Sequence, residues 1–206
     1  MIILIFHLSL QTEFVIKESF TKEENFVKGT MFINDSNNLC FIVKNPLLQI
    51  VTFKAETTIL YYPVHKKAFY ITGLNPMDMP INKNILKTDV DFSKFGYRFL
   101  KKKNIGDTTI TNWALPQKGM YLEMMNVKER VYKIVIKYKN KKLGEVIYDD
   151  YFVKENIAFP QLIKTISYTK KDTIIQEIVF KETKIIQGIP DSLINLKIPK
   201  DVEVKR

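Results

Sequence analysis

Few residues in this chain could carry out covalent chemistry, and their spacing argues against it. The two histidines, His7 in the apolar start and His65 in a turn, are far apart in sequence. There is no G-x-S-x-G elbow, no glycine-rich phosphate loop and no H-E-x-x-H pair. Without these patterns an activated serine, a phosphate cradle or a protease-type zinc site has no recognisable carrier. The single cysteine, Cys40, allows neither an internal disulfide nor a thiolate cluster. It lies in an apolar run, where a free cysteine behaves as a small buried hydrophobe. Asp149-Asp150 could attract a cation, but adjacent strand residues point to opposite faces while hard cations want several convergent oxygens. Trp113 at a strand end reads as a buried anchor. The expectation is a protein without catalytic residues, metal or cofactor.

Charge offers a second kind of chemistry. Thirty-two Lys and Arg against 22 Asp and Glu give a net charge of +10, which suits an anionic partner. Lys101-Lys102-Lys103, Lys137, Lys139, Lys141, Lys142 and Lys170-Lys171 could form a basic surface interleaved with tyrosines, as in single-strand nucleic-acid binders. The simpler reading is a solvated outer face, and on that reading no nucleic-acid partner is expected. A composition that is 46% apolar and 12% aromatic describes a packed globule.

The elements that position these residues are mostly strands. From Asn25 to Ile71 five extended segments follow one another: Phe26–Ile33, Leu39–Lys44, Leu47–Lys54, Thr57–Tyr62 and Lys66–Thr72. The polar breaks between them are too short for parallel crossovers, so the stretch reads as an antiparallel meander. Gln11–Ser19 reads as an earlier strand. Thr108–Leu115, Arg130–Lys139, Lys142–Tyr151, Leu162–Lys170 and Thr173–Ile186 read as later ones, with hairpins at Lys139–Lys142 and Tyr168–Asp172. A short strand at Leu193–Ile198 brings the count to eleven or twelve. Residues 73–106 change character: beyond Pro76 and Pro80 the apolar residues fall at three-and-four spacing, which predicts one or two short helices as a lid. Met1–Leu10 is apolar but too short to span a bilayer and lacks the basic start of an export signal. It reads as a leader remnant, a truncated first helix or a first buried segment of a single domain over 1–206.

Alternation separates the faces of these strands. Tyr132, Ile134, Ile136 and Tyr138 fall on one side, Lys133, Val135, Lys137 and Lys139 on the other, and Ile178 aligns with Phe180. A curved sheet, apolar inside and lysine-studded outside, follows from this. Its hollow is either filled as a core, which would make the protein a structural domain, or left open for an apolar ligand.

One arrangement of residues resembles a known family. Gly29-x-Met31-x-Ile33, Leu39-x-Phe41-x-Val43, Pro46-x-x-x-Ile50 and Ile59-x-Tyr61-x-Pro63 are similar, in order and spacing, to the LolA-like outer-membrane lipoprotein carrier and sorting proteins. The tail Leu193–Val204 resembles that family's closing strand. The chain departs from the pattern at Asn34-Asp35-Ser36, at Lys54-Ala55 and at Ile59, and the family's leading helix is either missing or shrunk to Met1–Leu10. The resemblance implies a mainly β (α+β) fold, a curved antiparallel sheet forming an open half-barrel of about eleven strands with short helices covering its mouth. It further implies a periplasmic, monomeric, non-enzymatic carrier whose partners are lipoprotein acyl chains or lipids and membrane-bound donor and acceptor proteins. The resemblance places the acyl cavity at Phe41, Val43, Ile50, Ile59 and Tyr61. Alternation adds Tyr132, Ile134, Ile136, Ile178 and Phe180.

Overall fold

The computed structural model describes residues 9–20, 23–34, 38–54, 57–72, 92–154, 157–170 and 172–205. Among them are fourteen strands: β1 (Ser9–Phe20), β2 (Glu23–Asn34), β3 (Leu39–Asn45), β4 (Gln49–Lys54), β5 (Thr57–Tyr62), β6 (Lys67–Thr72) and β7 (Arg98–Ile105). The chain continues through β8 (Thr108–Leu115), β9 (Met120–Val127), β10 (Arg130–Tyr138), β11 (Lys141–Lys154), β12 (Ile157–Tyr168), β13 (Thr173–Ile186) and β14 (Glu203–Lys205). The helical content described is a four-residue helix α1 (Asp191–Ile194) and two 3-10 turns at Phe92–Phe95 and Pro116–Lys118.

The fold is therefore mainly β. The strands form one hydrogen-bonded sheet in the order β14-β6-β5-β4-β3-β2-β1-β13-β12-β11-β10-β9-β8-β7. Every pairing with a described register is antiparallel except β6 with β14, which is parallel. The chain divides into two compact units, one drawn from Met1–Val15, Phe26–Lys83 and Phe180–Arg206, the other from Ile16–Asn25 and Asn84–Val179.

In the first unit the expected meander is β2 to β6. Short polar links make antiparallel neighbours, and the Asn34 side chain closes the first link by accepting the Asn38 N–H at 2.9 Å. The turn Pro63–Lys66 closes the last, with Lys66 in the left-handed region at φ 49° and its N–H on the Pro63 carbonyl. Register assigns two faces. On one, Phe32, Cys40, Ile42 and Ile50 pack against Ile186, Ile189, Leu193 and Ile194, so the segment after β13 covers this face. Leu193–Ile198 is thus not the expected closing strand. It is helix α1 and irregular chain, and the last strand is β14, beside β6. Pro190 sits at the helix entry, where its missing N–H costs nothing.

The second unit is a run of hairpins from β7 to β12. One face carries its core: Leu122, Met124, Val131, Ile134, Val146, Tyr148, Phe159 and Ile163 are all buried. Phe92 and Trp113 meet edge-on at 5.5 Å and Trp113 meets Phe99 at 5.2 Å, so the tryptophan packs on two aromatic partners but is half-buried rather than buried as expected. The other face is mixed, with Val135, Ile147 and Ile166 set among paired charges. The Glu145 carboxylate lies between the ammonium groups of Lys133 and Lys142 and accepts from the Tyr168 hydroxyl at 3.0 Å, while Lys164 pairs with Glu177 at 2.8 Å.

Two expectations for this unit are corrected. Part of the predicted helical lid, residues 98–105, is the strand β7; only Phe92–Phe95 is helical, and residues 73–91 lie outside the described residues. The hairpin partner β8 overrides the three-and-four spacing, with Gly106 turning at a φ of 54° that favours glycine. Strand β9 is likewise outside the expected set, and β7, β9 and β14 together raise the count from about eleven to fourteen.

Candidate functional site

The apolar face of the first unit that the C-terminal segment does not cover is the strongest candidate. Its residues follow from cross-strand register, which opposes Met31 to Phe41, Phe41 to Val51, Val51 to Leu60, Leu60 to Phe69 and Phe69 to Lys205. A neighbouring row runs Ile33, Leu39, Phe53, Thr58 and Ile71. These rows are deep at one end and open at the other. Met31 is 2% exposed and Val51 9%, whereas Leu60, Phe69 and Ile71 remain partly accessible. There the sheet carries a groove of about 400 Å³ lined by Leu60, Tyr62, Phe69, Tyr70, Ile71 and Lys205.

Aromatic rings build the walls. Phe14 meets Phe41 edge-on at 5.4 Å, Phe41 meets Phe53 at 6.1 Å, and Tyr62 meets Phe69 at 6.0 Å. Edge-to-face pairs of this kind fix ring orientation as well as burying area. The Tyr62 hydroxyl accepts a 2.9 Å hydrogen bond from the Gln49 amide, which satisfies its polar tip at the groove's end. Lys205, opposite Phe69, is the groove's one cation, and its ammonium lies 3.4 Å from Glu203. An apolar trough with a charged lip can shelter a hydrocarbon chain and leave a polar head in water.

Groups that might support bond-making chemistry are disposed otherwise. Cys40 is buried, and burial pushes its thiol above the ordinary range, so it is a poor nucleophile. Burial likewise raises the Tyr148 phenol, and pushes that of Tyr151 up to about 12; the Tyr151 hydroxyl donates to the Val131 carbonyl. Both stay protonated near neutrality. His65 is exposed in the turn before β6, and His7 lies outside the described residues. The Asp149 carboxylate accepts the Asp150 N–H at 2.9 Å, where Asp150 adopts a φ of 51°. Among the described residues no three His, Cys, Asp or Glu side chains converge as a metal site. No helix among them is long and apolar enough to cross a membrane.

The residues expected from the sequence do not all come together. Phe41 and Val43 lie on the groove's face. Ile50, Ile59 and Tyr61 lie on the opposite one, because Ile50 opposes Ile42 and Tyr61, and Ile59 opposes Thr52. Ile50 packs within the cluster under α1. In the second unit Ile134 and Ile136 share the apolar face with Val146 and Leu122. Tyr132 leaves that face because the register shifts between Val131 and Lys133, and it is 42% exposed. Ile134, at 1% exposure, is packed as core. Ile178 opposes Ile163 on β12, and Phe180 is buried in the first unit. Leu60, Phe69 and Ile71 were missed. The alternation in their strands contained them, but nothing in the sequence chose between the two faces.

Comparison with known proteins places the fold. No family model matches the chain, and no curated protein matches it. Solved structures do. A LolA superfamily protein from Nitrosomonas europaea matches at 14% identity and a TM-score of 0.59, covering 94% of this chain and 90% of that one. A domain assigned to outer membrane lipoprotein sorting from Vibrio parahaemolyticus matches at 13% identity and a TM-score of 0.65, covering 93% and 90%. A DUF1329 family protein from Desulfovibrio piger matches at 10% identity and a TM-score of 0.64, covering 90% and 89%. At these identities the likeness is one of fold.

Proposed function

We propose, from the premise that this chain has the LolA-like fold, that it is a non-enzymatic binder of acyl chains that carries or sorts lipoproteins, or lipids, through the periplasm. The observation that carries the reading is the groove over β5 and β6. Its volume of about 400 Å³ falls in the range of small-molecule sites, and its walls are Leu60, Tyr62, Phe69 and Ile71. Each methylene removed from water contributes about 0.8 kcal/mol, so about ten of them supply about 8 kcal/mol before the costs of association. Phe41 and Val43 extend the same lining. Ile136 and Ile178 are partly accessible on the apolar face of the second unit and form a separate candidate surface. Two of the structural neighbours, a LolA superfamily protein and a lipoprotein-sorting domain, support the class of cargo. Membrane-bound donor and acceptor proteins are the expected partners of such a carrier.

The test is extraction of the purified protein with organic solvent and mass spectrometry of what co-purifies, paired with titration of a fluorescent fatty acid. A co-purified acylated species, and saturable probe binding that is nearly indifferent to salt, are expected. A solid interior shows up as no extractable lipid and no saturable binding. Salt-sensitive capture would favour an anionic-surface binder instead.

A further inference from the structure

Strand β7 ends the sheet's hydrogen-bond order, and all eight of its residues are exposed. Its inner edge pairs with β8, while its outer edge has no strand partner among the described residues. Native proteins rarely leave an edge so long and open, because it is a template for another chain. Four of its eight residues, Arg98, Lys101, Lys102 and Lys103, are cationic, and none forms an ion pair among the described residues. The lysines of the interior strands differ: Lys133, Lys137 and Lys164 each face a glutamate on a neighbouring strand. The edge also displays Phe99, Leu100 and Ile105, at 48%, 49% and 52% exposure.

These features have opposite consequences for different partners. Antiparallel pairing of β7 with a second β7 would set lysine against lysine, so a copy of this chain is refused. Neutral strands gain nothing from the charges. The register shift between Phe99 and Lys101 sets Phe99 on one face of β7 and Lys101, Lys103 and Ile105 on the other. A strand whose alternate residues are acidic places carboxylates opposite Lys101 and Lys103, and its apolar residues can lie over Phe99 on the other face. We propose that β7 is a docking edge for an extended, acidic segment of another polypeptide, added as a further antiparallel strand. Amides and carbonyls that no strand among the described residues pairs favour this occupant over a membrane surface, which would use the charges but not the hydrogen bonds.

The probe is a labelled, capped peptide of about ten residues alternating glutamate with valine, followed by fluorescence anisotropy. Binding is expected to weaken by about tenfold or more when salt rises from about 50 to about 300 mM. The double variant K101E/K103E, at exposed positions, should lose affinity by about tenfold or more while keeping its circular dichroism and its fatty-acid binding. Methylating the peptide's edge-facing amides should cost as much, and replacing its glutamates by lysine should abolish binding. Equal affinity for the methylated peptide would overturn strand addition, as would a double variant that binds normally. If phosphatidylglycerol vesicles bind in a K101E/K103E-sensitive way and the peptide does not, the edge is a membrane contact and the proposal is wrong.

Discussion

Thr52 donates its hydroxyl to the main-chain carbonyl of Leu193 at 3.0 Å, joining the middle of the meander to a residue 141 positions further along the chain. The bond fixes α1 over the sheet face that holds Cys40, whose Sγ lies 3.6 Å from the same hydroxyl. Replacing Thr52 by Val keeps the shape and removes the donor, leaving the carbonyl unsatisfied beside an apolar cluster. We expect a loss of about 1–2 kcal/mol, read as a lower urea midpoint with an unchanged m-value, and partial recovery with Thr52→Ser.

Gly29 has no room for a side chain. A Cβ there would stand 2.2 Å from the Ile42 main-chain oxygen and 2.8 Å from the Phe14 ring. Phe14 could yield; the backbone oxygen of the neighbouring strand cannot without moving β3. Gly29→Ala should therefore destabilise by about 2–3 kcal/mol, and a smaller residue at 14 should restore little of it. A double-mutant cycle in guanidinium measures both.

Glu145 predicts a dependence on acid. Hydrogen bonds from Lys133 first, and then from Lys142, hold its carboxyl at about 2, well below the ordinary 4.5, against the opposing effect of burial. A carboxyl that is lowered in the folded state contributes stability in full above its unfolded value, here about 4.5. That contribution is lost as pH falls from about 4.5 towards about 2. Glu145→Gln should flatten the stability curve in this window and cost about 1–3 kcal/mol at neutrality, because two lysines then face a neutral group. Thermal midpoints across the acid range will show it; parallel curves for the variant and the parent would refute the assignment.

Phe69→Glu and Leu60→Glu should each lower affinity for a fluorescent fatty acid by at least about tenfold, since a carboxylate in the trough must be desolvated or must keep water in it. Both residues are only partly buried, so the sheet's circular dichroism should persist. Ile134→Glu should instead unfold the second unit, because that residue is core. Retained affinity in both groove variants would move the site elsewhere.

Most of the sheet was legible from period-two runs between polar breaks, and the hairpin at Lys139–Lys142 is where β10 meets β11. Two strands were not. In β7 three consecutive lysines read as the cationic end of a helix, and in β9 the sequence MYLEMMNV is rich in good helix formers. The groove was illegible for a different reason. Strand β5, TTILYY, is apolar on both sides, so alternation offers Ile59 with Tyr61 as readily as Leu60 with Tyr62. Only register decides, and a one-residue offset exchanges every side chain between faces. At Tyr132 a bulge defeated the count in the same way.

The division into units also has a kinetic consequence. The first unit is stitched from three separated stretches, and the Thr12 hydroxyl meets that of Thr183, 171 positions further along the chain, at 2.9 Å. Closing so distant a contact requires a large loss of chain freedom before any reward arrives. Refolding should therefore be slow, with the local hairpins of the second unit gaining protection from exchange while the first still waits for its far ends to find each other.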